Sequence, residues 1–346
     1  MRLAVVTASP LFAEGGHTVL ARSLVTALRE AGHQADLLIT PQNRFGRMAS
    51  SYLATWLTDV GQTWDEQRID QVISLRFPSY AVRHPRHACW LFHRMREYYD
   101  LWETFIRPMA RRHKVKEHVR RWCLHRVDGY LLTRNVNRLF VISATVQSRL
   151  RRIGGIPSTV LYPPPPQRAY RCDGYGEEFF AVSRLTPLKR MDLLVRAMAE
   201  PEAAGLRCAI AGDGDAAGGL RSLARALRVD DRVRFVGPVS TEQLETHLAT
   251  CRAVVFPVFN EDYGLVTVEA FTSRKAVVTC TDSGGPAELV RDDANGFVTE
   301  PTPAAIAKAM RRLADDRGLA ERLGAAGAVD AAQITWPRTV EQLLLP

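Results

Sequence analysis

Two glutamates, Glu261 and Glu269, flank Gly264 in the stretch FNEDYGLVTVEAF (259–271). The preceding AVVFPV reads as a buried strand, Gly264 breaks it, and LVTVEAFTS reads as the start of a helix. The first amides of a helix have no intrahelical acceptors and carry roughly half a positive charge, which suits a phosphate. Glu261 falls before the turn, and Glu269 falls about 6 Å along the helix, so neither carboxylate sits on the anion site itself. A ligand laid along this element would meet a carboxylate, an anion site and a second carboxylate. Carboxylates are good acceptors for paired hydroxyls, so the order fits a sugar, a diphosphate and a ribose. Two surface acids beside a helix would satisfy the spacing equally well. Arg184 ends another apolar run, EFFAVSR, and Lys189 follows Pro187, so both can reach one anion and stabilise a departing diphosphate. A solvated surface position would suit either of these cations as well.

These residues need a scaffold that brings strand ends together. Short apolar strands alternate with amphipathic segments throughout: RLAVVTAS, a helix from Gly15–Gly16 to Gly32, and QADLLIT; then EFFAVSR, LRCAIAG, RVRFVG and AVVTC with helices between them. That alternation implies an α/β fold of parallel sheets covered on both faces, with ligands at the carboxyl ends of the strands. Four successive prolines in YPPPP (162–166) cannot continue a helix or a central strand. They divide the chain into domains expected at 1–162 and 163–329, with a C-terminal tail, 330–346, rejoining the first.

The 346 residues are 46% apolar and carry a net charge of +9, enough for two cores. Six scattered cysteines without a CxxC or a His/Cys cluster point to neither a disulfide framework nor a metal site, and to a reducing, cytoplasmic setting. The apolar run at the start is too short for a signal-peptide core, and none approaches the roughly 20 residues of a membrane helix. The charge is concentrated: Arg107–Arg126 holds eight Lys/Arg against one acid, Glu117. Within it Val115, Val119, Trp122 and Cys123 recur at helical spacing, predicting a helix whose apolar stripe docks on the domain and leaves a cationic surface. No aromatic interleaving or binding motif accompanies the charge, which argues against nucleic acid. An anionic membrane surface and an acidic or phosphorylated acceptor both suit it, and so does a merely solvated face.

GDGDAA (212–217) fits a dinucleotide-binding pattern literally. Asp213 and Asp215 would then face a pyrophosphate and no acid ends the next strand, so a nicotinamide site is not expected. Its Asp-Gly-Asp triplet is too short to establish a metal site. His93, after the apolar run ACWLF, stands where a strand end would present it to a ligand.

EDYGLVTVE resembles the E-x7-E motif of the retaining GT-B glycosyltransferases of family 4 (glycosyl transferases group 1). VSRLTPLKRMDLLVRAM, AIAGDGD, VRFVGPVS and TDSGGPAELV resemble further segments of that family's C-terminal domain. ACWLFHRMREYYDLW and LFVISATVQSRLRRIGGIPSTVLYPPP resemble its N-terminal domain. The resemblance implies two Rossmann-like domains facing each other across a cleft, and retaining, metal-independent transfer of a sugar from a nucleotide-diphosphate donor, UDP or GDP, to an acceptor hydroxyl. Arg184 and Lys189 would pair with the diphosphate, Glu269 with the ribose and Glu261 with the transferred sugar. Gly264, Leu265 and Val266, with neighbouring Asp262 and Tyr263, would cap the phosphate. Gly15 and Gly16 would approach the diphosphate from the other domain. Asp213, Gly214, Val236 and Gly237 would line the base pocket, and His93 would stand beside the sugar, with Arg96 and Asp100 nearby. No cofactor is implied. A nucleotide-sugar phosphorylase or synthase-like activity and a non-catalytic binding subunit are the alternatives.

Overall fold

The computed structural model describes residues 1–10, 15–42 and 47–345. Contacts divide the chain into two units, Met1–Pro163 with Thr335–Pro346, and Pro164–Ile334.

In the first unit the elements are β1 (Arg2–Ser9), α1 (Gly16–Glu30), β2 (Gln34–Pro41), α2 (Met48–Leu57), β3 (Gln71–Ser74), β4 (His87–Leu91), α3 (Trp102–Ile106), α4 (Arg111–Tyr130), β5 (Arg138–Val141), α5 (Ala144–Arg152) and β6 (Thr159–Val160). β1 is buried along almost its whole length, as a strand covered on both faces must be. The parallel sheet runs β2-β1-β3-β4-β5-β6. The chain therefore reverses direction between β1 and β3, and the strand ends on either side of such a point form a natural crevice. The C-terminal tail packs on this unit: the Gln71 amide donates to the Leu343 carbonyl at 2.8 Å, and Trp336 meets Trp90 edge-on.

The basic helix docks the other way round from the sequence expectation. Val115, Val119 and Trp122 are exposed at 68%, 58% and 61%, and Cys123 is exposed too. The buried positions are Glu117, Leu124 and Asp128, which with Arg121 follow the spacing of one helical face. The reason is a polar core that apolar periodicity cannot see. Asp128 accepts hydrogen bonds from the hydroxyls of Tyr52, Tyr80 and Tyr99, and Glu117 from Tyr98 and Arg120. Burial pushes the Asp128 carboxyl up, against the three tyrosine donors and nearby Arg94, which lower it. Three donors satisfy the buried carboxyl, so this face of the helix can lie inside the unit without an unpaired polar group.

The second unit holds β7 (Glu178–Val182), α6 (Met191–Ala197), β8 (Arg207–Ala211), α7 (Ala217–Ala226), β9 (Val233–Gly237), α8 (Thr241–Thr250), β10 (Val254–Val255), α9 (Leu265–Thr272), β11 (Val277–Cys280), α10 (Gly285–Leu289), β12 (Gly296–Thr299), α11 (Pro303–Asp315) and α12 (Arg317–Ala331), before α13 (Trp336–Leu343) returns to the first. Its parallel sheet is ordered β12-β11-β10-β7-β8-β9. The reversal here lies between β7 and β10. The loops leaving those two strands carry Arg184, Lys189, Glu261 and Gly264.

Candidate functional site

Three loops of the second unit are tied into one block. Arg190, held in the left-handed region (φ 47°), donates to the carbonyls of Pro257 and Val258 and grips Asp282 with both terminal nitrogens at 2.6 and 2.8 Å. A bidentate guanidinium fixes geometry as well as charge. The Glu261 amide donates to the Ser283 carbonyl, and the Glu261 carbonyl accepts from the Gly285 amide. The approach is so close that a Cβ on Gly284 (φ +72°) would lie 2.5 Å from the Glu261 carbonyl oxygen. Gly264, which caps α9, has φ +80° and a Cβ there would meet Pro286 at 2.6 Å. Only glycine fits at either position.

On this block Lys189 Nζ donates to Glu261 Oε2 at 2.5 Å, with both side chains largely buried. The opening amides of α9 follow. One turn on, the Glu269 carboxylate is buried, and its Oε1 accepts both from Arg168 Nη1 and from the Tyr170 hydroxyl. Burial pushes the Glu269 carboxyl up, while the Arg168 charge and the Tyr170 hydrogen bond oppose the shift. The same burial, reinforced by the Glu269 charge, holds the Tyr170 hydroxyl protonated. Glu261 Oε1 and Glu269 Oε2 receive no hydrogen bond among the described residues. Each carboxylate thus has one oxygen neutralised by a cation and the other open. Lys189 retains two further N–H donors.

Arg184 is exposed and makes no ion pair among the described residues. Asp262 is half-buried and Tyr263 buried against Gly285. The glycines of GDGD have a structural reason: Cβ atoms on Gly212 and Gly214 would come within 1.8 and 2.5 Å of the carbonyl oxygens of Ser183 and Leu185. The Leu185 amide donates to the Asp213 carbonyl and the Gly212 amide to that of Gly237. This loop is clamped on the one that bears Arg184, with the Asp213 side chain exposed and receiving the Gly214 amide. Val236 and Gly237 close β9 beside it.

In the first unit Gly15 and Gly16 open α1 at the end of the β1 loop, and Thr18 exchanges hydrogen bonds with Gly15. His93 follows β4, and its Nδ1 lies 2.7 Å from the Arg94 carbonyl, to which it donates. Asp100 is a structural hub between Arg96 at 2.8 Å and Arg149 at 3.4 Å.

Four residues of the site carry no signal of their own in the sequence. Arg190 and Asp282 lie in LKRMD and TDSGG but pair across 92 positions. Arg168 and Tyr170 follow the proline run, where no periodicity marks them.

The profile of the family described as "Glycosyl transferases group 1" matches residues 170–330. D-inositol 3-phosphate glycosyltransferase of Streptomyces avermitilis is 36% identical over 165 residues, 44% of this chain and 35% of that protein. The namesake of Kineococcus radiotolerans is 32% identical over 214 residues, 55% of this chain and 49% of that protein. The chain thus matches less than half the length of either. Among solved structures, sucrose-phosphate synthase of Thermosynechococcus elongatus superimposes with TM-score 0.75 at 17% identity over 98% of this chain and 96% of that one. Anabaena HepE in complex with UDP and glucose gives 0.70 at 16%, over 98% and 97%. The fold is GT-B, two Rossmann-like units each built on a parallel sheet.

Proposed function

With residues 170–330 matching the group 1 glycosyltransferase profile on a GT-B fold, we propose that the protein transfers a sugar from a nucleotide-diphosphate donor to an acceptor hydroxyl, with retention and without a metal. The observation that carries this reading is the pair of half-neutralised carboxylates, Glu261 and Glu269, on either side of the α9 N-terminus. Glu269 Oε2 takes the ribose hydroxyls. The amides after Gly264, with Lys189 and Arg184, take the diphosphate, and Glu261 Oε1 takes hydroxyls of the sugar. The loop of Asp213 and Gly214 and the end of β9 at Val236 and Gly237 bound the base, and Asp262 and Tyr263 support the phosphate turn.

As the glycosidic bond to the donor breaks, negative charge grows on the departing phosphate, and cations and amides already in place stabilise it without reorganisation. The acceptor attacks from the face the phosphate leaves, and the phosphate takes its proton. His93, Gly15 and Gly16 are further donor-site candidates, carried over from the resemblance to the family. UDP or GDP is the donor nucleotide, and UDP is what the HepE structure holds. The D-inositol 3-phosphate named for the relatives favours a polyol or phosphorylated acceptor.

Incubation with a panel of nucleotide sugars, read by thermal shift and by release of nucleotide, tests the class. Glu269→Ala should weaken nucleotide binding by about 1.5–3 kcal/mol, the worth of hydrogen bonds to a charged group. Unchanged affinity would remove Glu269 from the site. EDTA should leave the rate intact, and a product of inverted anomeric configuration would end the claim of retention.

A further inference from the structure

We infer that the face formed by α2 and α4 of the first unit docks on an anionic lipid bilayer, an interaction separate from the donor chemistry.

Two observations meet on this face. The first is apolar. Val115, Val119, Trp122 and Tyr130 of α4 and Leu53 and Leu57 of α2 are all exposed by more than half. Between the helices runs a groove of about 760 Å³ lined by Tyr52, Leu53, Trp56, Val119, Cys123 and Val127. Water-facing apolar side chains on this scale, contiguous across two helices, mark a surface built to be covered.

The second is charge. Both acids of α4, Glu117 and Asp128, are turned into the unit and bonded there. α2 carries no charged residue at all. The exposed charge of these two helices is therefore purely positive: Arg111, Arg112, Lys116 and Arg126. The basic residues and the apolar row share the solvent side of one 20-residue helix.

A bilayer interface takes both features at once. Apolar and aromatic side chains enter the headgroup–acyl boundary, and cations remain at the anionic headgroups. A nucleic acid would use the cations but has no place for Val115, Val119 and Leu57. A second copy of the chain would cover the apolar row but would bring two sets of like charges together.

The test is co-sedimentation of the intact chain with vesicles of phosphatidylcholine alone and of phosphatidylcholine with about one-third phosphatidylglycerol, at low and high salt. Wild type should bind the mixed vesicles only, with a blue shift of tryptophan emission that is reduced in Trp122→Phe. Trp122→Asp, and separately Arg111→Gln with Arg112→Gln, Lys116→Gln and Arg126→Gln, should each lower the partition about tenfold or more. Val329→Asp, at an exposed apolar position of the second unit, should bind as wild type does. Thermal unfolding in the absence of vesicles confirms that each variant is folded. The inference is overturned if wild type stays in the supernatant, if folded Trp122→Asp binds like wild type, or if sedimentation velocity shows a dimer through this face and no vesicle binding.

Discussion

Arg168→Met isolates the contact that the structure adds to the donor site. The substitution keeps most of the side-chain volume and removes the cation facing Glu269. The side chains of this pair are only 16% and 6% exposed, so screening is weak. Removing one partner of a buried pair costs about 3–5 kcal/mol. Here the loss is smaller, about 2–3 kcal/mol, because the Tyr170 hydroxyl remains 3.1 Å from Oε1 and still solvates the charge. For a unit of this size that is a fall in melting temperature of about 5–10 °C.

The pH dependence identifies the cause. Burial already raises the Glu269 carboxyl, and losing Arg168 raises it further. Once protonated, the carboxyl has little need of a cation. The destabilisation should therefore be larger at about pH 8 than at about pH 5, because more of the carboxyl is ionised at the higher pH. Denaturant unfolding of Arg168→Met, Glu269→Gln and the double variant at both pH values measures it. A destabilisation equal at the two pH values, or a coupling energy near zero at pH 8, would refute the argument.

Lys189→Met should leave Glu261 partly buried without its cation, lowering nucleotide-sugar turnover far more than Arg196→Met, a substitution on α6 outside the site; similar rates for the two variants would count against Lys189. Gly212→Ala forces a Cβ to 1.8 Å from a backbone carbonyl at φ +118°, whereas Gly218→Ala in α7 meets nothing within 4 Å. The first should cost about 3 kcal/mol or more and the second should be neutral or stabilise by up to about 1 kcal/mol, as denaturant midpoints will show. His87, buried between Ser74 and the Asn135 carbonyl, is pushed down to about 4 by desolvation. Its folded value lies below the unfolded one, so its neutral form stabilises the fold fully above about pH 6.5, and that contribution is lost as pH falls toward about 4. His87→Gln should flatten the stability profile across that window.

Much of this molecule is readable along the chain because its determinants are local. The buried strands at Arg2–Ser9 and Glu178–Val182 are runs of apolar residues, and their alternation with helices dictates parallel sheets. The order of Glu261, glycine, helix start and Glu269 needs only helix rise and the exposed amides of a first turn. What the sequence leaves undecided depends on partners distant along the chain. Glu269 meets Arg168 and Tyr170 across 101 and 99 positions, a pairing that no local propensity encodes. The strand expected over AVVFPV pairs only at Val254–Val255, because the residues after it leave the ladder to meet Arg190 and Ser283. The basic helix is the sharpest case. Periodicity assigns its apolar row to the core, yet four tyrosines and Arg120 satisfy Asp128 and Glu117 inside the unit and turn Val115, Val119 and Trp122 outward. A chain determines its local elements by spacing and propensity, but which face of a helix is buried depends on whether distant groups complete its hydrogen bonds, and only the tertiary structure supplies those groups.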